Sequence, residues 1–326
     1  MHKEQAQTIL ERFAHKRVLV VGDLMVDEYV WGNVSRVSPE APVLVVDADS
    51  HTFVPGGAAN VVHNLKVLGA EALVAGVVGR DAVGERLLDE LRLLGADTSA
   101  VVMTDDRPTT QKTRIVAGSQ QIVRVDRERR GALPPDIAQQ LAGRASELLS
   151  VCDALLFSDY DKGVLAEPTV RVLMEAARRS DAVVTANPKP PSSRFYRDAD
   201  LVQLNKAEAE QASGAHLTRT PEDAFHAAGT RLRAALDVRN LLVTRSAQGM
   251  TIFKASGDFV DIQPHRVEVY DGTGAGDTTV SALTLALACG ASIEEAATLG
   301  NAAGGAVVRK VGVATATTHE IASMFE

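Results

Sequence analysis

Continuous apolar, β-branched runs recur along the chain: RVLVVGD at 17–23, ALVAGVVG at 72–79, ALLFSD at 154–159, AVVTAN at 182–187, LVQLN at 201–205 and LLVTR at 241–245. Runs that are apolar on both faces and alternate with helical stretches predict a parallel sheet covered by helices on both sides. In segment 57–69, Ala58, Val61, Val62, Leu65 and Leu68 follow the spacing of an amphipathic helix. Gly69 ends it as a C-cap residue. Residues 28–54 and 107–127 break this rhythm. There apolar and polar positions alternate between turn residues, which predicts antiparallel strand pairs with one exposed face, a small β lid on the α/β body. Neither a repeat nor a long linker interrupts the pattern. The expectation is one domain over 1–326 with the lid strands inserted at about 28–54 and 107–127.

Composition narrows the function. Of 326 residues 45% are apolar and 23% charged, ordinary globular values. A net charge of −8 and no Lys/Arg cluster argue against a nucleic-acid surface, because neutralising phosphates supplies most such affinity. A small molecule is the expected partner. Cys152 and Cys289, each within an apolar stretch, read as buried thiols in a reducing compartment. The opening MHKEQAQTILERFAHK lacks a secretion signal's apolar core, and no run reaches the length of a membrane span. The expectation is therefore a cytoplasmic protein with no membrane partner.

Neither GxxxxGK[ST] nor, at its expected place, GxGxxG occurs. The stretch DGTGAGD at 271–277 stands directly before the apolar run from Thr278 to Cys289. Its glycines let backbone amides approach a ligand, and the run predicts a helix whose first turn offers unpaired N–H groups to an anion such as phosphate. Asp277 would repel that anion, so it either binds a metal, takes a proton, or merely caps the helix. Pro55-Gly56-Gly57-Ala58-Ala59-Asn60 opens the amphipathic helix in the same style, with Asn60 offering a donor and an acceptor. Asp23 ends the first strand, where open α/β sheets bind ligands; it either holds sugar hydroxyls or caps the next turn.

Strand-GD at 22–23, GGAAN at 56–60, NKAE at 205–208 and DGTGAGD at 271–277, in this order and over nearly the whole chain, resemble the ribokinase-like (PfkB) family of carbohydrate kinases. The resemblance implies a three-layer α/β/α sandwich with a mostly parallel central sheet and a small β-sheet lid. It implies Asp277 as the general base toward the attacking sugar hydroxyl, with the amides of Gly274, Ala275 and Gly276 as the anion hole for the transferred phosphoryl group. Asn205 and Glu208 match the family's NxxE and would support Mg²⁺ through water; equally, they fit a capping box. Asp271 and Thr273, closed by the segment Arg309–Gly312, would serve a K⁺ ion. Thr244, Ser246 and Gly249 would flank the nucleotide of ATP, with Asn301 either lining that pocket or making a helix contact.

The stretches TRIVAGSQQIVRVDRE at 113–128 and FSDYDKG at 157–163 are similar to the heptose kinase branch, which implies D-glycero-β-D-manno-heptose 7-phosphate as acceptor, phosphorylated at C1. Lys112, Arg114 and Arg124 would then meet the sugar phosphate, and Gln120 and Gln121 its hydroxyls; the alternative is a solvated strand face. With Gly56, Gly57, Asn60 and Asp23, the strand-end residues Asp159 and Lys162 complete the expected substrate set, and Lys189 is assigned loosely to a phosphate of nucleotide or substrate. Asn187 departs from the branch, where Asp is expected. The branch also has bifunctional members with an HxGH motif; none occurs here, so a kinase acting alone is expected. The exposed lid strands suggest a homodimer by sheet pairing.

Overall fold

A computed structural model describes residues 1–118, 120–217 and 221–325. Its main sheet has nine strands: β1 (Arg17–Gly22), β4 (Glu71–Gly79), β5 (Asp97–Thr104), β8 (Ala154–Ser158), β9 (Val183–Asn187), β10 (Leu201–Asn205), β11 (Asn240–Thr244), β12 (Met250–Lys254) and β13 (Phe259–Ile262). A second sheet contains β2 (Leu24–Val37), β3 (Leu44–Gly57), β6 (Thr110–Ala117) and β7 (Gln120–Arg127). In space the main sheet runs β13-β12-β11-β10-β9-β8-β1-β4-β5, parallel from β11 to β5, with antiparallel β12 and β13 at one edge.

Why this sheet is sandwiched is visible in burial. β1 reads exposed once and then buried five times, and β8 is buried throughout, so both faces need cover. Two apolar clusters provide it. One joins Val18, Val20 and Val74 to helices Ala58–Val67, Ala275–Ala288 and Ile293–Val307. The other joins Leu19, Leu155 and Val202 to helices Pro135–Leu149, Glu167–Ser180 and Glu222–Leu236. The three-layer expectation holds. The predicted helix at 57–69 is Ala58–Val67, with Gly69 at φ 91° just past its end. Cys152 and Cys289 are buried free thiols.

The lid sheet has the order β3-β2-β6-β7. Its two hairpins are antiparallel as expected, but β2 and β6 join them in parallel, from Met25↔Thr110 to Gly32↔Ala117. Local alternation cannot name a strand's partner, so this join was not visible beforehand. Its consequence is functional, because it sets Asp27 beside Lys112 and Tyr29 beside Arg114.

Candidate active site

Asp277 is the centre of the site. The helix that carries it is Ala275–Ala288, beginning three residues earlier than the apolar run suggested, because Gly274 takes the cap position at φ 80°. Asp277 is therefore the third helical residue and not the cap. It is 5% exposed, and burial pushes its carboxyl above the usual range. Two uncharged donors oppose that push. Tyr160 donates its phenol to Oδ1 at 2.7 Å, and Asn60 donates Nδ2 to Oδ2 at 2.7 Å. Asn60, expected to touch substrate, is thus spent on Asp277, and Asn64 Nδ2 in turn holds the Asn60 carbonyl at 2.9 Å.

The glycine-rich start stands beside this carboxylate. The Ala275 N–H reaches the Gly272 carbonyl at 3.3 Å, and helix geometry leaves the next amides without an intrahelical acceptor. Gln203 Nε2 holds the Gly276 carbonyl at 3.0 Å, which fixes that turn from β10. Asp271 accepts from the Thr273 N–H at 2.9 Å and from the Gly312 N–H at 3.0 Å, closing the loop onto the 309–312 segment as expected.

A cleft of about 120 Å³ opens here, lined by Tyr160, Asn187, Lys189, Gln203, Asn205, Glu208, Thr244, Gly274, Gly276 and Asp277. A larger depression of about 470 Å³ lies at the amino ends of β9 and β10, around Asp181, Val183 and Asp200. Its arginines, Arg178 and Arg239, are taken up by Asp198 and Asp200, and no catalytic group faces it, so the smaller cleft is the site.

The cleft's nucleotide-side residues divide. Asn205 caps helix Lys206–Ser213, accepting from the Glu208 N–H at 2.9 Å, while Glu208 Oε2 accepts from the Asn205 N–H at 2.9 Å: the capping box is real. Glu208 Oε1 also pairs with Lys189 at 2.6 Å. Both residues still line the cleft. Thr244 does too, but Ser246 and Gly249 shape the β11–β12 turn, where the Gly249 N–H bonds the Ser246 carbonyl at 3.0 Å and φ is 79°. Asn301 is absent from the cleft wall and donates at 2.8 Å to the carbonyl of Gln263, in the stretch that follows β13 rather than in a helix.

On the substrate side the expected residues also separate. Asp23 is 1% exposed and accepts from three backbone groups of the turn after β8: Tyr160 at 2.8 Å, Lys162 at 3.2 Å and Val164 at 3.3 Å. Burial, with Asp159 adding to it, pushes its pKa to about 6. It caps a turn; it offers no free oxygens to a sugar. Asp159 accepts from Tyr196 at 2.6 Å, and burial raises it too. Lys162 pairs with Glu128 at 2.5 Å, both side chains 10% exposed. Gly56 and Gly57 are the last residues of β3, not a loop; a Cβ on Gly56 would strike the Asp27 carboxylate, and Gly57 has φ 56°.

The lid cations are mostly spoken for. Arg114 pairs with Asp27 at 2.5 Å and lies over the Tyr29 ring; Arg124 pairs with Asp126 at 2.8 Å on an exposed face. Gln120 and Gln121 are exposed. Lys112 differs. Its register neighbours are Asp27 and Asp126, whose carboxylates the two arginines hold, and it makes no ion pair among the described residues. Its ammonium stands 5.9 Å from the Tyr160 ring centroid, and burial lowers its pKa.

Two residues of this site escaped the sequence reading. Tyr160 stands within the quoted DYDKG, between the two residues that were chosen. Asp27, 8% exposed, is an acid inside the apolar strand LMVDEYV with no turn residue beside it, which is the signal that could have found it.

A buried carboxylate in the first turn of a helix with a glycine-rich start, at the carboxyl ends of a parallel sheet and with Lys112 and Lys189 near it, suits phosphoryl transfer. The chain matches the pfkB family carbohydrate kinase pattern over residues 15–320 and belongs to that family. It is 43% identical over 312 residues to the bifunctional protein HldE of Geobacter metallireducens, covering 95% of this chain and 63% of that protein. It is also 43% identical over 305 residues to the bifunctional protein HldE of Nitratiruptor sp., covering 94% and 64%. The chain thus spans under two thirds of the length of these relatives. The fold is shared with phosphofructokinase-2 from Escherichia coli in complex with potassium, at TM-score 0.78 and 21% identity over 95% of this chain and 98% of that one. Ribokinase of Arabidopsis thaliana, complexed with ribose and ATP, gives 0.74 and 18% over 95% and 99%.

Proposed function

We propose that this carbohydrate kinase transfers the γ-phosphoryl group of ATP to the C1 hydroxyl of D-glycero-β-D-manno-heptose 7-phosphate, giving the 1,7-bisphosphate for the heptose of lipopolysaccharide cores. The observation that carries the reading is Lys112, a part-buried ammonium over the site with no carboxylate of its own. A cation left unpaired in such a place is stabilised by an anionic ligand, and an acceptor that already bears a phosphate supplies one. The HldE relatives support the heptose assignment.

In this reading Asp277 takes the hydroxyl proton, and the amides at Gly274 to Gly276 stabilise charge on the phosphoryl group in flight. Lys189 meets the donor phosphates from the cleft wall. Among the described residues no group of three or more His, Cys, Asp or Glu side chains could hold a metal alone. Asn205 and Glu208 would hold a Mg²⁺ through water, and the ion would supply positive charge against the nucleotide phosphates. Because the Asp271 carboxylate is occupied by two N–H groups, a K⁺ ion in that loop would rest on carbonyl oxygens, with Asp271 shaping the loop. The lid also exposes Val34, Val37, Leu44, Val123 and Val125, a surface suited to pairing with a second copy; a monomer by light scattering would contradict the homodimer.

The test is ADP release over a panel of sugars and phosphosugars. Turnover is expected with heptose 7-phosphate and not with the unphosphorylated heptose or nucleosides. Activity confined to another acceptor, such as a fructose phosphate, would overturn the assignment.

A further inference from the structure

The carboxylate that is to take the proton has to be aimed, and its two supports come from different elements. Asn60 rides on helix Ala58–Val67, while Tyr160 lies in the turn after β8. That turn is held from below by Asp23, which accepts its N–H groups at 160, 162 and 164. Displacing the turn would strand a buried carboxylate without donors, so the phenol is set in place by structure beneath it. We propose that Tyr160 is a positioning residue for phosphoryl transfer, its phenol fixing the direction of the Asp277 carboxylate while Asn60 holds the other oxygen. The inference rests on Asp277 being the proton acceptor.

Charged groups face this pair from every side. Lys189 stands 5.1 Å from the Tyr160 ring centroid and Lys112 5.9 Å, and Asp27 and Glu208 act on the phenol electrostatically. None of the four hydrogen-bonds the Asp277 carboxylate among the described contacts; Tyr160 and Asn60 do. Removing the phenol therefore leaves the upward push of burial opposed by the Asn60 hydrogen bond and the charge of Lys189.

Tyr160→Phe keeps the ring, its lysine contacts and the backbone bond to Asp23, and deletes one hydroxyl. With heptose 7-phosphate as acceptor, kcat is expected to fall about ten- to a hundredfold, with both KM values within about twofold of wild type. The acid limb of kcat moves to higher pH. In the substrate-free protein, the Asp277 carboxyl carbon followed by NMR, assigned against Asp277→Asn, should titrate at higher pH in the variant. An unmoved titration overturns the proposal. So does a raised acceptor KM with kcat and titration unchanged, which would make the phenol a substrate ligand. If wild type fails to use heptose 7-phosphate while the carboxyl titration shifts in Tyr160→Phe, the sugar assignment falls and the positioning role stands.

Discussion

The floor of the site and the lid above it both concentrate carboxylates, and three on each side are satisfied by opposite means. On the floor, Asp277, Asp23 and Asp159 accept from phenols, an amide, a hydroxyl and backbone N–H groups, with no cation hydrogen-bonded to any of them among the described residues. On the lid and its hinge, Asp27, Asp126 and Glu128 are neutralised by Arg114, Arg124 and Lys162. Neutral donors leave a buried carboxylate basic, which suits a proton acceptor; ion pairs quench charge until a ligand exchanges it. Lys112, set over the Tyr160 ring, makes no such pair among the described residues, and the substrate proposal rests on it.

The comparison can be broken most severely at Asp277. Asp277→Asn keeps the shape but replaces one acceptor oxygen by an NH₂ donor and cannot take the proton, so turnover should drop by about a thousandfold while calorimetry still detects ATP binding. Turnover near wild type would remove the floor's basic carboxylate from the chemistry. Next is Asp23, whose folded pKa of about 6 lies above the ordinary Asp value. The folded state then binds the proton more tightly, so its contribution is full below about pH 4 and is lost as pH rises through about 6. Relative to Asp23→Asn, wild type should lose about 2 kcal/mol of stability from pH 4 to pH 7 in urea titrations. A pH-independent difference would mean the floor carboxylate is not held as described.

Lys112→Ala sharpens the lid side. The KM for a phosphosugar should rise about ten- to a hundredfold, leaving the affinity for ATP as it was. An equal loss on the nucleotide side would move Lys112 to the donor. Arg124→Ala should do least: its pair with Asp126 is about half exposed, so stability should change by under about 1 kcal/mol and KM by less than about twofold.

What could be read from the chain followed the same division. Strands such as ALLFSD and the helix at 58–67 were legible because burial on both faces, or on one helical face, writes a period into the sequence. NKAE was legible as a capping box from spacing alone. DGTGAGD announced an anion site, but its helix start was misplaced, since a glycine at positive φ ends a loop and opens a helix in one residue. Asp23 and Asp27 look alike in GDLMVDEY, and only the turn folding over β1 decides that the first is enclosed and the second faces Arg114. In DYDKG, spacing could not say that Asp159 turns to Tyr196 and Lys162 to Glu128, leaving Tyr160 to meet Asp277. Those choices are tertiary, made by segments as much as 137 residues apart along the chain.

In the proposed function the Asp277 carboxylate and Lys112 serve the phosphorylation of a sugar that already bears a phosphate. Phosphorus NMR of the wild-type reaction with ATP and D-glycero-β-D-manno-heptose 7-phosphate tests it directly. A second sugar phosphate resonance coupled to the anomeric proton is expected, growing with ADP and beside an unchanged 7-phosphate. Formation of ADP with only inorganic phosphate, or no new sugar phosphate at all, would contradict it.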